Sequence, residues 1–230
     1  MKSYLTNIIV GRNSVLDALE NGYDIEKIYI QNNINIKLNF KNIEYVSKEK
    51  LNSLTDQNHQ GIIAVIKPFN YADFNELILK KPEQVIILDH IQDPHNLGAI
   101  MRSANAFGLK WIIIPKDRAA SVNAAALKIS SGGFNGLKIV KNSSLNTTIN
   151  KLKEIGYWVY ATSLDNKSIN INDVKFNTPT VLIIGNEQKG VSNTLLKLSD
   201  QNIYIPQEGT VQSLNASVAA GICFYCLKNK

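Results

Sequence analysis

QVIILDHIQDPHNLGAIMRSANAFG, residues 84–108, decides the fold. Its first part is a continuous apolar run that ends in Asp89, the pattern of a strand buried on both faces. Asp93-Pro94 then supplies a turn and a helix start, because proline is tolerated in the first turn of a helix. The residues that follow have helical character, with two oddities. The helix opens on His95-Asn96-Leu97-Gly98, and it carries Arg102 between Ile100-Met101 and Ala104. A purely structural helix is better served by Leu, Ala, Lys and Glu. Arg102 has no acidic residue three or four positions away, so a cation held there awaits an anion from outside the helix.

The same alternation extends in both directions. Strands are expected at 25–30, 43–47, 61–67, 84–89, 110–115, 137–140, 157–163, 180–185 and 202–206. Amphipathic helices are expected near 12–21, 48–56, 96–107, 121–130, 144–155, 191–199 and 214–228. Apolar strands separated by helices imply an α/β fold with a parallel sheet covered on both faces. The interval 71–83, with its charges and a proline at 82, interrupts the rhythm. It reads as a linker between a small α/β domain (1–70) and a larger one (84–230).

Composition narrows the class. The longest apolar runs are strand-sized, far short of the ~20 residues that a membrane span requires. The N-terminus lacks a signal-peptide core, so the cytoplasm is expected. Net charge is +6, with 8 basic and 7 acidic side chains in residues 1–70 against 17 and 12 in the rest. That balance suits a polyanionic partner. Of 25 basic residues only Arg12, Arg102 and Arg118 are arginine, which marks them as places where a planar, permanently charged fork is needed. Cys223 and Cys226 sit in an apolar helical run, where structural burial is the reading ahead of redox chemistry. His59, His90 and His95 form no metal-ligand spacing, and no metal site is expected.

Two further polar islands follow buried strands. In VLIIGNEQKGVSNTLL (181–196) a strand ends in Gly185, and Glu187 is offered at its tip. Ligands of open α/β sheets bind beyond such carboxyl ends. The glycine spacing fits neither a P-loop nor a dinucleotide fingerprint. In IPQEGTVQSLNASVAAGICFY (205–225), Ser213 suits the N-cap of the final helix, which leaves Asn215 unexplained. If the three islands converge, they offer carboxamides, a carboxylate and a guanidinium with no nucleophile–base pair. Positioning and electrostatics are then the available catalysis.

The three islands, in this order, resemble motifs 1, 2 and 3 of the SpoU (TrmH) branch of the SPOUT methyltransferases. VGRNSVLDAL, NHQGIIAVIK and PKDRAASVNAAALKISSGG are similar to the subgroup that methylates a guanosine ribose in 23S ribosomal RNA. The resemblance implies S-adenosylmethionine as methyl donor, a ribose 2′-hydroxyl as acceptor, a C-terminal trefoil knot, a homodimer and an N-terminal RNA-binding domain. Carried over by position, it implies catalytic roles for Asn96, Arg102, Glu187 and Asn215. Arg102 would bind an RNA phosphate beside the target ribose. Cofactor contacts are implied for Gly185, Ile205 and Leu214, with Thr162 as a further contact. Lys116, Arg118 and Arg12 are the expected RNA contacts. Gln188 stands where the family usually has Gly, and Gln207 where it usually has Met. A tRNA ribose methyltransferase of the same superfamily, or an RNA-binding protein without activity, is the alternative.

Overall fold

The computed structural model describes residues 7–165 and 167–229. The chain begins with β1 (Ile8–Val10), α1 (Arg12–Glu20), β2 (Ile25–Gln31), β3 (Ile43–Val46), α2 (Lys48–Leu54) and β4 (Ile62–Ile66). These form a four-stranded sheet in the order β1-β4-β2-β3, in which only β2 and β3 run parallel. His59 stabilises the approach to β4. Its Nδ1 accepts the Gly61 amide at 2.9 Å and its Nε2 lies 3.0 Å from Asn52 Oδ1, an arrangement that needs the neutral ring.

The larger lobe contains α3 (Phe74–Lys80), β5 (Gln84–Asp89), α4 (Pro94–Ala106), β6 (Trp111–Pro115), α5 (Ala124–Ser130), β7 (Lys138–Asn142), α6 (Leu145–Glu154), β8 (Trp158–Thr162), β9 (Ile169–Asn170), β10 (Thr180–Gly185), α7 (Asn193–Leu198), β11 (Gln201–Tyr204) and α8 (Ala216–Asn229). Its seven strands are all parallel, in the order β7-β6-β5-β10-β8-β11-β9. Thus β10 is inserted between β5 and β8, and β11 between β8 and β9. The period-two rule distributes each strand's side chains between two cores. Ile86, Leu88, Leu182 and Ile184 join α4, α5 and α8 on one face. Val85, Ile87, Val181 and Ile183 join α3, α6 and α7 on the other.

The interval expected as a linker (71–83) holds α3. Leu77 is fully buried in the second of those cores, and the Ala72 amide donates to Ile139 O at 2.8 Å. Its charges and Pro82 masked a short amphipathic helix capped by Asp73. The short strands β1 and β9 carried too few residues to signal themselves. The two lobes share one buried cluster. Tyr23 meets Phe134 edge-on at 4.9 Å, and Asn135 Nδ2 donates to Asn21 O at 2.9 Å.

Cys223 and Cys226 are free and buried in α8, and burial pushes the Cys223 thiol up to about 12. Among the described residues no helix is long and apolar enough to cross a membrane.

Burial, with help from Lys48, lowers the His59 pKa from its ordinary 6.5. Such a group contributes stability that is present above the unfolded value and lost as pH falls through the folded one. The thermal midpoint should therefore decline as pH is lowered from about 7 toward 5. His59→Asn should start lower and show a shallower decline, which pH-dependent melting curves will measure.

Candidate functional site

The carboxyl ends of β5, β8, β10 and β11 converge, and there the three polar islands meet. Asp93 caps α4 by accepting the His95 amide at 2.9 Å, and this sets Asn96 in the helix's first turn. Asn96 Nδ2 donates to Glu187 Oε1, and Asn96 Oδ1 accepts from Asn215 Nδ2 at 3.0 Å. One carboxamide thereby joins three segments distant in the chain.

Asn215, rather than Ser213, caps α8. Its Oδ1 accepts from the Ser217 amide at 2.9 Å and from Ser217 Oγ at 2.6 Å. The helix starts one residue beyond, at Ala216. An asparagine can cap through its oxygen and still donate through its nitrogen, whereas an ionised aspartate at this position could only accept. That accounts for a residue the sequence left unexplained.

The loop after β10 is tight. Gly190 N donates to Asn186 O at 3.0 Å, while Asn186 Oδ1 accepts the amides of Gln188 and Lys189 at 3.0 and 2.8 Å. A Cβ on Gly185 would lie 2.1 Å from the Gly190 carbonyl carbon and 2.2 Å from the Val191 nitrogen. No side chain can be accommodated there, because both obstacles are backbone. Gly98 has a different task. A Cβ there would meet Ala126 O at 2.5 Å, so its smallness serves the packing of α4 on α5.

Thr162, Gly185, Glu187, Ile205 and Leu214 all line one cavity of about 490 Å³. All four positions expected to hold a cofactor are therefore brought together. Gln207 also lines it, and its Oε1 is buried without a hydrogen-bond partner among the described residues. A second cavity of about 800 Å³ lies on the other side of the same loop, and residues 186–190 line both. Arg118 lines the second cavity.

Arg102 is not brought to this network. It is exposed, and among the described residues its side chain makes no hydrogen bond or ion pair. It lines a separate groove with Glu20, Asn21 and Asn105, where the two lobes meet. Six residues along a helix amount to about 9 Å of rise and about 240° of rotation, so Arg102 leaves α4 on a different side from Asn96. Lys116 and Arg12 are exposed.

Sequence reasoning missed Asp89, which is only 1 % exposed. Its Oδ2 accepts the Ser192 amide at 2.7 Å and so ties the end of β5 to the segment after β10. A carboxylate closing an apolar strand was the available signal. It also missed Asn186, whose turn-forming side chain shapes the loop. Among the described residues no three His, Cys, Asp or Glu side chains are grouped to hold a metal ion.

The structure is thus a parallel α/β lobe with a carboxamide-lined site beyond its strand ends, joined to a small sheet lobe. Comparison with known proteins is consistent with both lobes. Residues 83–225 match the model of the SpoU rRNA Methylase family, and residues 8–72 match that for RNA 2′-O ribose methyltransferase substrate binding. The chain is 38% identical over 233 residues to a Staphylococcus haemolyticus protein classed with the TrmH family tRNA/rRNA methyltransferases, covering 95% of this chain and 93% of that one. The SpoU methyltransferase AviRb from Streptomyces viridochromogenes, solved in complex with AdoMet, superposes with a TM-score of 0.76. It is 23% identical, over 95% of this chain and 88% of that one. AdoMet-bound rRNA methyltransferase from Sinorhizobium meliloti gives 0.75 at 23% identity, over 96% and 86%. The chain belongs to the SpoU/TrmH family of RNA methyltransferases.

Gly185→Ala should weaken S-adenosylmethionine binding by more than about tenfold, equivalent to about 1.4 kcal/mol. Titration calorimetry on the folded variant will measure the loss, with circular dichroism to verify its fold.

Proposed function

We propose that this chain transfers a methyl group from S-adenosylmethionine to a ribose 2′-hydroxyl of RNA, and that the acceptor is a guanosine of 23S ribosomal RNA. The observation that carries the reading is the Glu187–Asn96–Asn215 network beside a cavity lined by Thr162, Gly185, Ile205 and Leu214. The rRNA assignment is supported by the description of the matched family and by the small lobe, which matches a ribose methyltransferase substrate-binding module.

The cavity suits the donor chemically. Leu214, Leu196 and Ile205 give it apolar wall, and the unpartnered Gln207 Oε1 is an acceptor available to an amino or ammonium group. When bound, S-adenosylmethionine supplies a methyl group already activated on a sulfonium. What this chain must do is hold the acceptor oxygen in line and manage its proton. Asn96 fixes the Glu187 carboxylate at the wall shared by the two cavities, where it can accept a hydrogen bond from the ribose. Asn215 locks Asn96 in the orientation that leaves its nitrogen facing Glu187.

Arg102 requires a second copy. Val218 and Tyr225 on α8 are 51% and 59% exposed, and Ile222 lies between them on the same helical face. Tyr225 meets Phe107 at the end of α4, at 6.2 Å. We infer that two copies pair through this stripe, and that Arg102 of one copy binds the RNA phosphate beside the other's Glu187. The insertion of β10 between β5 and β8, with α8 packed back against α4, supports the implied trefoil knot.

Arg102→Ala and Asn96→Asp should each reduce methyl transfer to ribosomal RNA by roughly a hundredfold or more, as loss of a transition-state contact does. Cofactor affinity should remain within a few-fold. Unfolded together and refolded as a mixture, the two inactive variants should regain about a quarter of wild-type activity, because half the dimers then carry one intact composite site. A mixture that stays inactive while forming dimers would put Arg102 in its own chain's site or outside the mechanism. Mapping ribose methylation in rRNA and tRNA from cells with and without the gene tests the substrate.

A further inference from the structure

A second cavity lies across the loop 186–190 from the one proposed for the methyl donor. Its volume, about 800 Å³, exceeds that of the donor cavity, and the two are separated only by the loop 186–190. Its wall is rich in hydrogen-bonding groups of both kinds. Gln92, Ser144, Asn146, Thr194 and Arg118 line it from four different loops or helix starts. Carboxylates outnumber cations in its lining, Asp89, Asp93, Asp117 and Glu187 against Arg118 and Lys189, so a bare anion is a poor match. An uncharged ring edge bearing donors and acceptors is a good one.

His90 is the side chain most clearly set for such a ligand. It lines the cavity with its ring 30% exposed, and its Nδ1 lies 2.5 Å from Oδ1 of Asp89, whose side chain is only 2% exposed. The other Asp89 oxygen is held by the Ser192 amide. A carboxylate fixed at both oxygens orients the imidazole and directs the Nδ1 hydrogen to itself, which leaves Nε2 for another partner. The backbone makes a concession to this arrangement: His90 has φ +57°, a left-handed conformation that glycine adopts far more readily. Arg118, in the same cavity, has φ +54°. Two of the six non-glycine residues with positive φ among the described residues thus lie at this one cavity.

From these observations we infer that the second cavity receives the unpaired base of the acceptor nucleotide, and that His90, oriented by Asp89, contacts its edge. The inference rests on the methyltransferase reading and deepens it. With the base beyond the loop, its ribose reaches Glu187, the one carboxylate that lines both cavities. Unpaired bases are read in this way, by side chains that hydrogen-bond or stack on them once they leave the helix. His90 is thus a residue that positions the acceptor and does not touch the donor.

The test exploits the glycine-like backbone. His90→Gly removes the ring and relaxes the left-handed residue, and circular dichroism verifies that the variant is folded. The KM for unmodified ribosomal RNA should increase by roughly tenfold, while the Kd for S-adenosylmethionine stays within about twofold. In wild-type protein with labelled histidine, the nuclear magnetic resonance signals of His90 should shift saturably with a ribonucleoside monophosphate. Those of His59 and His95 should not, and inorganic phosphate alone should leave all three in place. An unchanged KM for RNA, an equal loss of donor affinity, or a His90 shift with phosphate alone would each overturn the inference. Failure of the parent reading would look different: wild-type protein would not label RNA from the methyl donor at all.

Discussion

The site depends on one carboxamide. Asn96 donates to Glu187 and accepts from Asn215, and these partners lie 91 and 119 residues away along the chain. A buried or half-buried amide is costly to leave unsatisfied, so its two bonds specify one mutual placement of α4, the loop after β10 and the start of α8. Asn215 can serve because its oxygen is already committed to capping α8, which leaves only its nitrogen to face Asn96. The same group that starts the last helix therefore orients the residue that orients the carboxylate.

Sheet topology makes that contact possible. Because β10 lies between β5 and β8, the loop that follows it emerges next to the start of α4. The approach is close enough that Asp89 can bond across to Ser192, and the loop folds back on itself so tightly that Gly185 admits no side chain. One short loop then becomes a partition with a cavity on each side. For a reaction between two bound molecules, a shared wall of five residues is an economical way to bring a donor and an acceptor into contact without a nucleophilic side chain.

Much of this could be read from the residues. The apolar runs gave the strands of the parallel sheet, and the glycine and polar residues at their ends pointed to a cavity beyond the sheet, because ligands of such sheets bind there. The helix within 71–83 went unread because Pro82 and the surrounding charges outweighed seven residues, and helices that short are stabilised by packing rather than by propensity. Ser213 was a sound cap by type but lay outside the helix. The choice fell to Asn215 through a tertiary partner that no local pattern contains. Arg102 was read as a cation without an acidic partner in its own helix, yet its direction was not legible. Periodicity ranks the faces of a helix without saying which neighbour covers each one.

By itself, then, the sequence determined the element types, the two-lobed α/β organisation and the identity of the polar groups at the strand ends. These follow from local hydrophobic period, capping and turn chemistry, which act over a few residues. Only the tertiary structure decided which groups meet: that Asn96 bridges Glu187 and Asn215, that Arg102 faces the junction of the lobes, and that His90 looks into a second cavity on Asp89. Those relations depend on the order of strands across the sheet, which is set by how the whole core closes and not by any segment's own preference.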